Sequence, residues 1–124
     1  LESLVQSLQK LNTNIEINFT SNITKKLKDD LSQNLYFIAK ELINNAIKHS
    51  GASIIDVELM HENLQIELIV SDNGGGYDFD TSIMKDGLGL ESIKSRVSLL
   101  NAALTVVRKP GGGVMHKIRI SENI

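Results

Sequence analysis

The sequence predicts an α/β two-layer sandwich, with a mixed sheet of about five strands and three helices on one face. Three observations carry this. The elements read as helix, strand, helix, two strands, loop, helix, two strands. Strands that follow one another without an intervening helix exclude a purely alternating parallel sheet. The middle strands place Asp56, Glu58, Gln65 and Glu67 on alternate positions, as a sheet with one wet face requires.

Each element has its own signal. Leu1, Leu4, Val5, Leu8 and Leu11 recur at helical spacing and predict an amphipathic helix to about Leu11. Ile15, Ile17 and Phe19 alternate with Glu16 and Asn18, a short half-buried strand. The polar stretch from Thr20 to Lys28 reads as a connection, with Asp29 or Asp30 as the candidate cap of a long helix from Leu31 to about His49. Gly51 is the natural residue just past the end of that helix. Two strands follow, Ile54–His61 and Leu64–Ser71, joined across Glu62-Asn63. Ile55, Val57 and Leu59 share one face of the first, and Leu64, Ile66, Leu68 and Val70 one face of the second. Asp72 to Asp86 is irregular and rich in glycine and aspartate. Leu90, Ile93, Val97 and Leu100 mark a third helix. Leu104–Val107 and Val114–Ile120 read as closing strands around the turn Lys109-Pro110-Gly111-Gly112-Gly113.

The 124 residues suit one compact domain, 1–124, with one real core. The formal net charge of -2 gives no electrostatic case for nucleic acid or for an anionic membrane surface. The absence of cysteine removes disulfides and thiolate metal sites, which suits a reducing cytosol. No apolar run approaches the roughly 20 residues of a membrane span, and no signal-peptide pattern is present. Because the chain opens on Leu1 already in helical pattern, residues 1–12 are expected to be a helix continuing from a longer protein.

The long helix carries a polar stripe at the margin of its apolar arc. At about 100° per residue, Leu35, Ile38, Ala39, Leu42, Ile43, Ala46 and Ile47 form the arc. Glu41, Asn45 and Lys48 lie together along its border, His49 falls just inside it, and Asn44 points nearly opposite. Such a border is where a cleft for a metal-bound anion is lined, with oxygen ligands for Mg²⁺ and a cation for phosphate. From the helix alone, a solvated flank with a Glu–Lys pair is the more ordinary reading.

Two glycine boxes weigh on that choice. Asp72-Asn73-Gly74-Gly75-Gly76 follows directly on a strand. A carboxylate there can accept the exocyclic N–H of an adenine, and glycines let a flat base approach the backbone. A plain hairpin turn is the rival, but no alternating strand follows between Tyr77 and Asp86. Gly87-Leu88-Gly89-Leu90 leads into the third helix, where free N–H groups and the helix dipole favour phosphate. No P-loop pattern occurs. Gly87-x-Gly89-x-x-Ser92 only imitates a dinucleotide fingerprint, since its third glycine is serine and no strand precedes it.

Taken in order, three segments resemble one family. Glu41-Leu-Ile-Asn-Asn45-Ala46-Ile-Lys48-His49-Ser50 resembles the asparagine box of bacterial sensor histidine kinases. Asp72-Asn73-Gly74-Gly75-Gly76-Tyr77 is similar to their first glycine box and Gly87-Leu88-Gly89-Leu90 to their second. Pro110-Gly-Gly-Gly113 before a strand is similar to the closing segment of their ATP-binding domain. The match spans roughly Leu31 to Ile120, and its short lid looks most like the compact-lid subfamily.

The resemblance implies the histidine-kinase type of ATPase fold, with ATP and Mg²⁺ as cofactors. It implies that Asn45 ligates Mg²⁺, that Glu41 positions or activates an acceptor imidazole, and that Lys48 reaches the phosphates. His49 would lie near the base or ribose, and Asp72 would bind the adenine amino group. Gly74, Gly76 and Tyr77 would belong to the adenine pocket and the opening of its lid. Gly87, Leu88, Gly89 and Leu90 would form the phosphate cradle. Val114 would line the adenine, where the family usually has threonine, so a hydroxyl is missing there. Phe37 stands where the subfamily often has arginine, and Asn101-Ala102 replaces a glycine pair. None of His49, His61 and His116 has the helical, acidic setting of a phosphoacceptor, so the acceptor is expected on an upstream dimerisation domain. A response regulator would take the phosphate onward. The domain would be cytoplasmic, without nucleic acid and without direct membrane contact, whether or not its parent is membrane-anchored. The same fold also serves gyrase- and chaperone-like ATPases, anti-sigma-type serine kinases and non-catalytic nucleotide-binding modules.

Overall fold

The computed structural model describes residues 1–75 and 90–121. Three helices occur among them: α1 (Glu2–Leu11), α2 (Asp29–Asn45) and α3 (Leu90–Leu99). The five strands are β1 (Glu16–Ser21), β2 (Ile54–Glu62), β3 (Gln65–Asp72), β4 (Ala103–Arg108) and β5 (Val114–Ser121). They form one sheet in the order β1-β2-β3-β5-β4, in which β1 and β2 run parallel and every other pair antiparallel. The expected mixed five-stranded sandwich is therefore the observed one.

One hydrophobic cluster lies between the helices and one face of the sheet. The sheet contributes Ile17, Ile55, Val57, Ile66, Leu68, Val70 and Ile118. The helices contribute Leu4, Val5 and Leu8 from α1, Leu35, Ile38, Leu42 and Ile43 from α2, and Ile93 and Val97 from α3. The alternate strand positions carry Asp56, Glu58, Glu67 and Arg119 on the other face, where Arg119 Nε donates to Glu67 Oε2 at 2.9 Å. Gln9 fastens α1 to β1: its Nε2 donates to the Ile15 carbonyl at 2.6 Å and its Oε1 accepts from the Ile17 N–H at 2.7 Å. No helix among the described residues is long and apolar enough to cross a membrane.

Three local expectations change. Lys28, not Asp29 or Asp30, occupies the cap position of α2. Both aspartates lie in the first turn, where negative charge complements the helix dipole. Leu64 is not on the face of β3: with Asn63 it forms the β2–β3 turn, both at positive φ (52° and 62°), and is 62% exposed. A tight hairpin of right-handed twist demands that conformation at its two central residues, so the buried alternation starts at Ile66. The end of α2 also differs from a uniform helix. Ala46–Ser50 winds as a π turn before Gly51 leaves at φ 67°. The wider turn rotates the residues after Asn45 away from the projection of a 3.6-residue helix. His49, placed just inside the apolar arc by that projection, is exposed, and Ser50 is buried instead.

Candidate functional site

The C-terminal half of α2 and the C-terminal end of β3 meet through Ser50. Its carbonyl accepts the Gly75 N–H at 2.9 Å, while its hydroxyl donates to the Ala46 carbonyl and accepts from the Ala52 N–H at 3.2 Å. A Cβ on Gly74 would collide with the Ser50 carbonyl oxygen. The absence of a side chain at Gly74 is thus what lets the loop after β3 lie against the end of α2.

Asp72, the last residue of β3, is 2% exposed and shares the helix-covered face with Val70 and Leu68. It pairs with Ile55 of β2, and the Ser71–Met115 pairing sets Val114 of β5 beside it. Gly113, at φ 103°, brings its backbone so close to the Asp72 carbonyl that no Cβ would fit. The Asp72 Oδ1 accepts the Gly74 N–H at 2.9 Å, and among the described residues its other oxygen accepts none. Asn73 pins the same loop to β2. Its Oδ1 accepts from the Ser53 and Ile54 N–H groups, both at 2.9 Å, and its Nδ2 donates to the Ser53 hydroxyl at 2.9 Å.

Asn45 ends the α-helical part of α2 and is 4% exposed. Its Nδ2 is buried with no hydrogen-bond partner among the described residues. Leaving a buried amide donor unsatisfied costs about 1–3 kcal/mol, so a ligand that supplies a partner recovers that cost. Glu41, one turn earlier, is half-buried, and Lys48 and His49 are exposed. Val114 is fully buried. Leu90 opens α3. Gly76, Tyr77, Gly87, Leu88 and Gly89 lie outside the described residues.

One titratable group in this region is strongly perturbed. His116 on β5, two residues from Val114 and 3% exposed, pairs with Val70 and Val106. Desolvation by burial lowers its pKa to about 4, so it stays neutral at pH 7. A separate groove of about 460 Å³, lined in part by Lys25, Leu27, Leu31, Ile66 and Ile120, lies at the other end of β3 and contains none of these residues.

The sequence reading missed Ser50 and Asn73 as the residues that bring the two boxes together. Ser50 was the last residue of the asparagine box and Asn73 the second of the glycine box. Their long-range hydrogen bonds leave no signal in composition or spacing.

The comparisons agree with this architecture. A family model described as histidine kinase-, DNA gyrase B- and HSP90-like ATPase matches residues 30–124. The sensor histidine kinase MctS of Rhizobium johnstonii is 34% identical over 94 residues, covering 74% of this chain and 20% of the relative. The sensor histidine kinase ComP of Bacillus subtilis is 31% identical over 118 residues, covering 94% of this chain and 15% of the relative. The chain thus spans a fifth or less of the length of these two curated relatives. In fold it is similar to the histidine kinase domain of the Erythrobacter litoralis EL346 blue-light activated histidine kinase. That likeness has a TM-score of 0.83 at 20% identity and covers 97% of this chain and 58% of the other. The match over three quarters of its length, together with this arrangement of α2 and β3, places the chain in the family of histidine kinase-, DNA gyrase B- and HSP90-like ATPases, as an ATP-binding catalytic domain of the histidine-kinase type.

Proposed function

We propose that the domain binds Mg·ATP between α2 and the loop after β3 and transfers the γ-phosphoryl group to a histidine on a separate dimerisation domain. A response regulator then receives it. The observation that carries this reading is the Ser50–Gly75 hydrogen bond, which unites the helix of Glu41 and Asn45 with the loop of Asp72.

The Asp72 oxygen that has no partner among the described residues accepts the adenine amino N–H, while its other oxygen keeps the Gly74 turn in place. The neighbouring Val114 offers the base an apolar wall and no hydroxyl. The Asn45 amide oxygen is the protein ligand offered to Mg²⁺. Mg²⁺ usually takes one or two protein oxygens and completes its shell with substrate phosphates and water. When bound, the ion neutralises charge on the β- and γ-phosphates. Lys48 provides a cation for the phosphates at the mouth of the site. Glu41 accepts the acceptor imidazole's N–H proton as the new P–N bond forms and ADP leaves, or orients that imidazole for in-line attack. The rest of the protein's contribution is positioning.

Titration of the protein with ATP or a non-hydrolysable analogue, with and without Mg²⁺, tests the binding step. Transfer is tested by supplying a histidine-bearing helical-hairpin domain and looking for acid-labile phosphate on it. An Asn45→Ala variant is expected to lose Mg²⁺-dependent transfer. Full activity in that variant would remove the assigned ligand.

A further inference from the structure

A contact between the two helices beside the site has no part in the reading above. The Arg96 guanidinium on α3 lies over the Phe37 ring of α2, 4.2 Å from its centroid. The Arg96 Nη1 donates to the Asn34 Oδ1 at 3.0 Å, and Tyr36 meets the Phe37 ring edge-on with centroids 5.6 Å apart. A guanidinium seated over a ring and hydrogen-bonded through one nitrogen is held by two contacts at once.

Where this anchor lands is the telling point. With about 100° per residue, Asn34, Phe37, Glu41 and Asn45 fall within an arc of about 80° on α2. Arg96 therefore grips the N-terminal half of the stripe whose C-terminal half carries Glu41 and Asn45. On α3 itself, Arg96 follows Ile93 by three positions and precedes Val97 by one, and both of those side chains are buried in the core. The adenine side of the proposed site is built on the sheet, through Asp72 and Val114. The metal and phosphate side is built on α2, through Glu41 and Asn45, and Arg96 ties that helix to α3.

We propose that Arg96 is a positioning residue that acts through Phe37 and Asn34. It fixes the Glu41–Asn45 face of α2 against α3, so that the assigned metal ligand and Glu41 keep their places beside the phosphates of Mg·ATP. The inference rests on the proposed Mg·ATP site. It separates the determinants of phosphate binding from those of adenine binding.

The test compares adenosine and Mg·ATP by calorimetric titration of the full chain. Arg96→Ala is expected to weaken Mg·ATP binding by about ten- to a hundredfold, the scale of a small misplacement of bound groups, while adenosine affinity stays within about twofold. Asn34→Ala and Phe37→Ala, neither of which offers a cation to phosphate, are expected to reproduce the same selective loss. Equal losses for adenosine and Mg·ATP would mean a merely structural contact and overturn the proposal. So would unchanged affinities, or an effect confined to Arg96, which would point to direct phosphate contact. If the unaltered protein binds adenosine but not Mg·ATP, or binds neither, the proposed function itself fails and the positioning role falls with it.

Discussion

His116 makes the stability of the domain depend on pH in a window that most carboxylates leave quiet. Burial lowers its pKa from 6.5 to about 4 in the folded chain. Between those values the unfolded chain binds a proton that the folded chain refuses, so stability falls as pH falls. The contribution is fully present above pH 6.5 and fully lost below about pH 4. The whole shift corresponds to about 3 kcal/mol, taking 1.36 kcal/mol per pKa unit. At pH 5.5 the expected loss relative to pH 7.5 is about 1.3 kcal/mol, because most unfolded chains are protonated there and few folded ones are. Urea unfolding at pH 7.5 and 5.5, for the original chain and for His116→Phe, reads this difference directly. An aromatic replacement keeps most of the buried volume while removing the proton site. The original chain should lose about 1.3 kcal/mol more than the variant between the two pH values. If both lose the same amount, His116 is protonated or solvated in the folded state, and its burial between Val70 and Val106 does not govern its titration.

Other outcomes follow from the same geometry. Asp72→Ala should weaken adenine-nucleotide binding by about 1.5–3 kcal/mol, the range for a hydrogen bond to a charged group; unchanged affinity in titration would take Asp72 out of the site. Glu41→Gln should lower phosphoryl transfer by a factor of about 10²–10⁴ if the carboxylate accepts the proton. In a transfer assay with nucleotide binding measured alongside, a loss of binding alone would reassign Glu41 to structure. Gly74→Ala should destabilise the fold by about 1–3 kcal/mol, the usual cost of overpacking, because the new methyl group meets the Ser50 carbonyl. Chemical denaturation with the midpoint unchanged would refute that close approach.

Much of the architecture was legible because burial imposes a period on the sequence. Ile55, Val57 and Leu59 on one strand and Ile66, Leu68 and Val70 on the next alternate strictly, and all six are buried. The apolar arc of α2 was equally readable, since Leu35, Ile38, Ala39, Leu42 and Ile43 all face the core. The same periodic reasoning failed where the backbone changed its own period. Beyond Asn45 the helix widens, so a projection at constant pitch misplaced His49. Leu64 misled for a different reason: its side chain is apolar, but the turn it occupies is set by backbone twist, and its exposure is tolerated there. The boxes themselves were visible as residue types at fixed spacing. What joins them was not, because the Gly75 N–H donated to the Ser50 carbonyl and the Asn73 N–H donated to the Ile54 carbonyl link residues 25 and 19 positions apart by backbone groups that nearly every residue possesses. The Arg96–Phe37 stack, 59 positions apart, is hidden in the same way.

The π turn at Ala46–Ser50 has a consequence for how this chain tolerates change. Such a turn is equivalent to one extra residue spliced into an ordinary helix. Removing one residue from that stretch would let normal winding resume, and because the wide turn and an ordinary turn one residue shorter sweep nearly the same angle, everything after it would keep its direction about the axis. The carbonyl that receives the Gly75 N–H would still face the loop after β3. One residue added to or removed from the regular part of α2 has no such outlet and would turn the remainder by about 100°, so this stretch is where the helix absorbs a change in length.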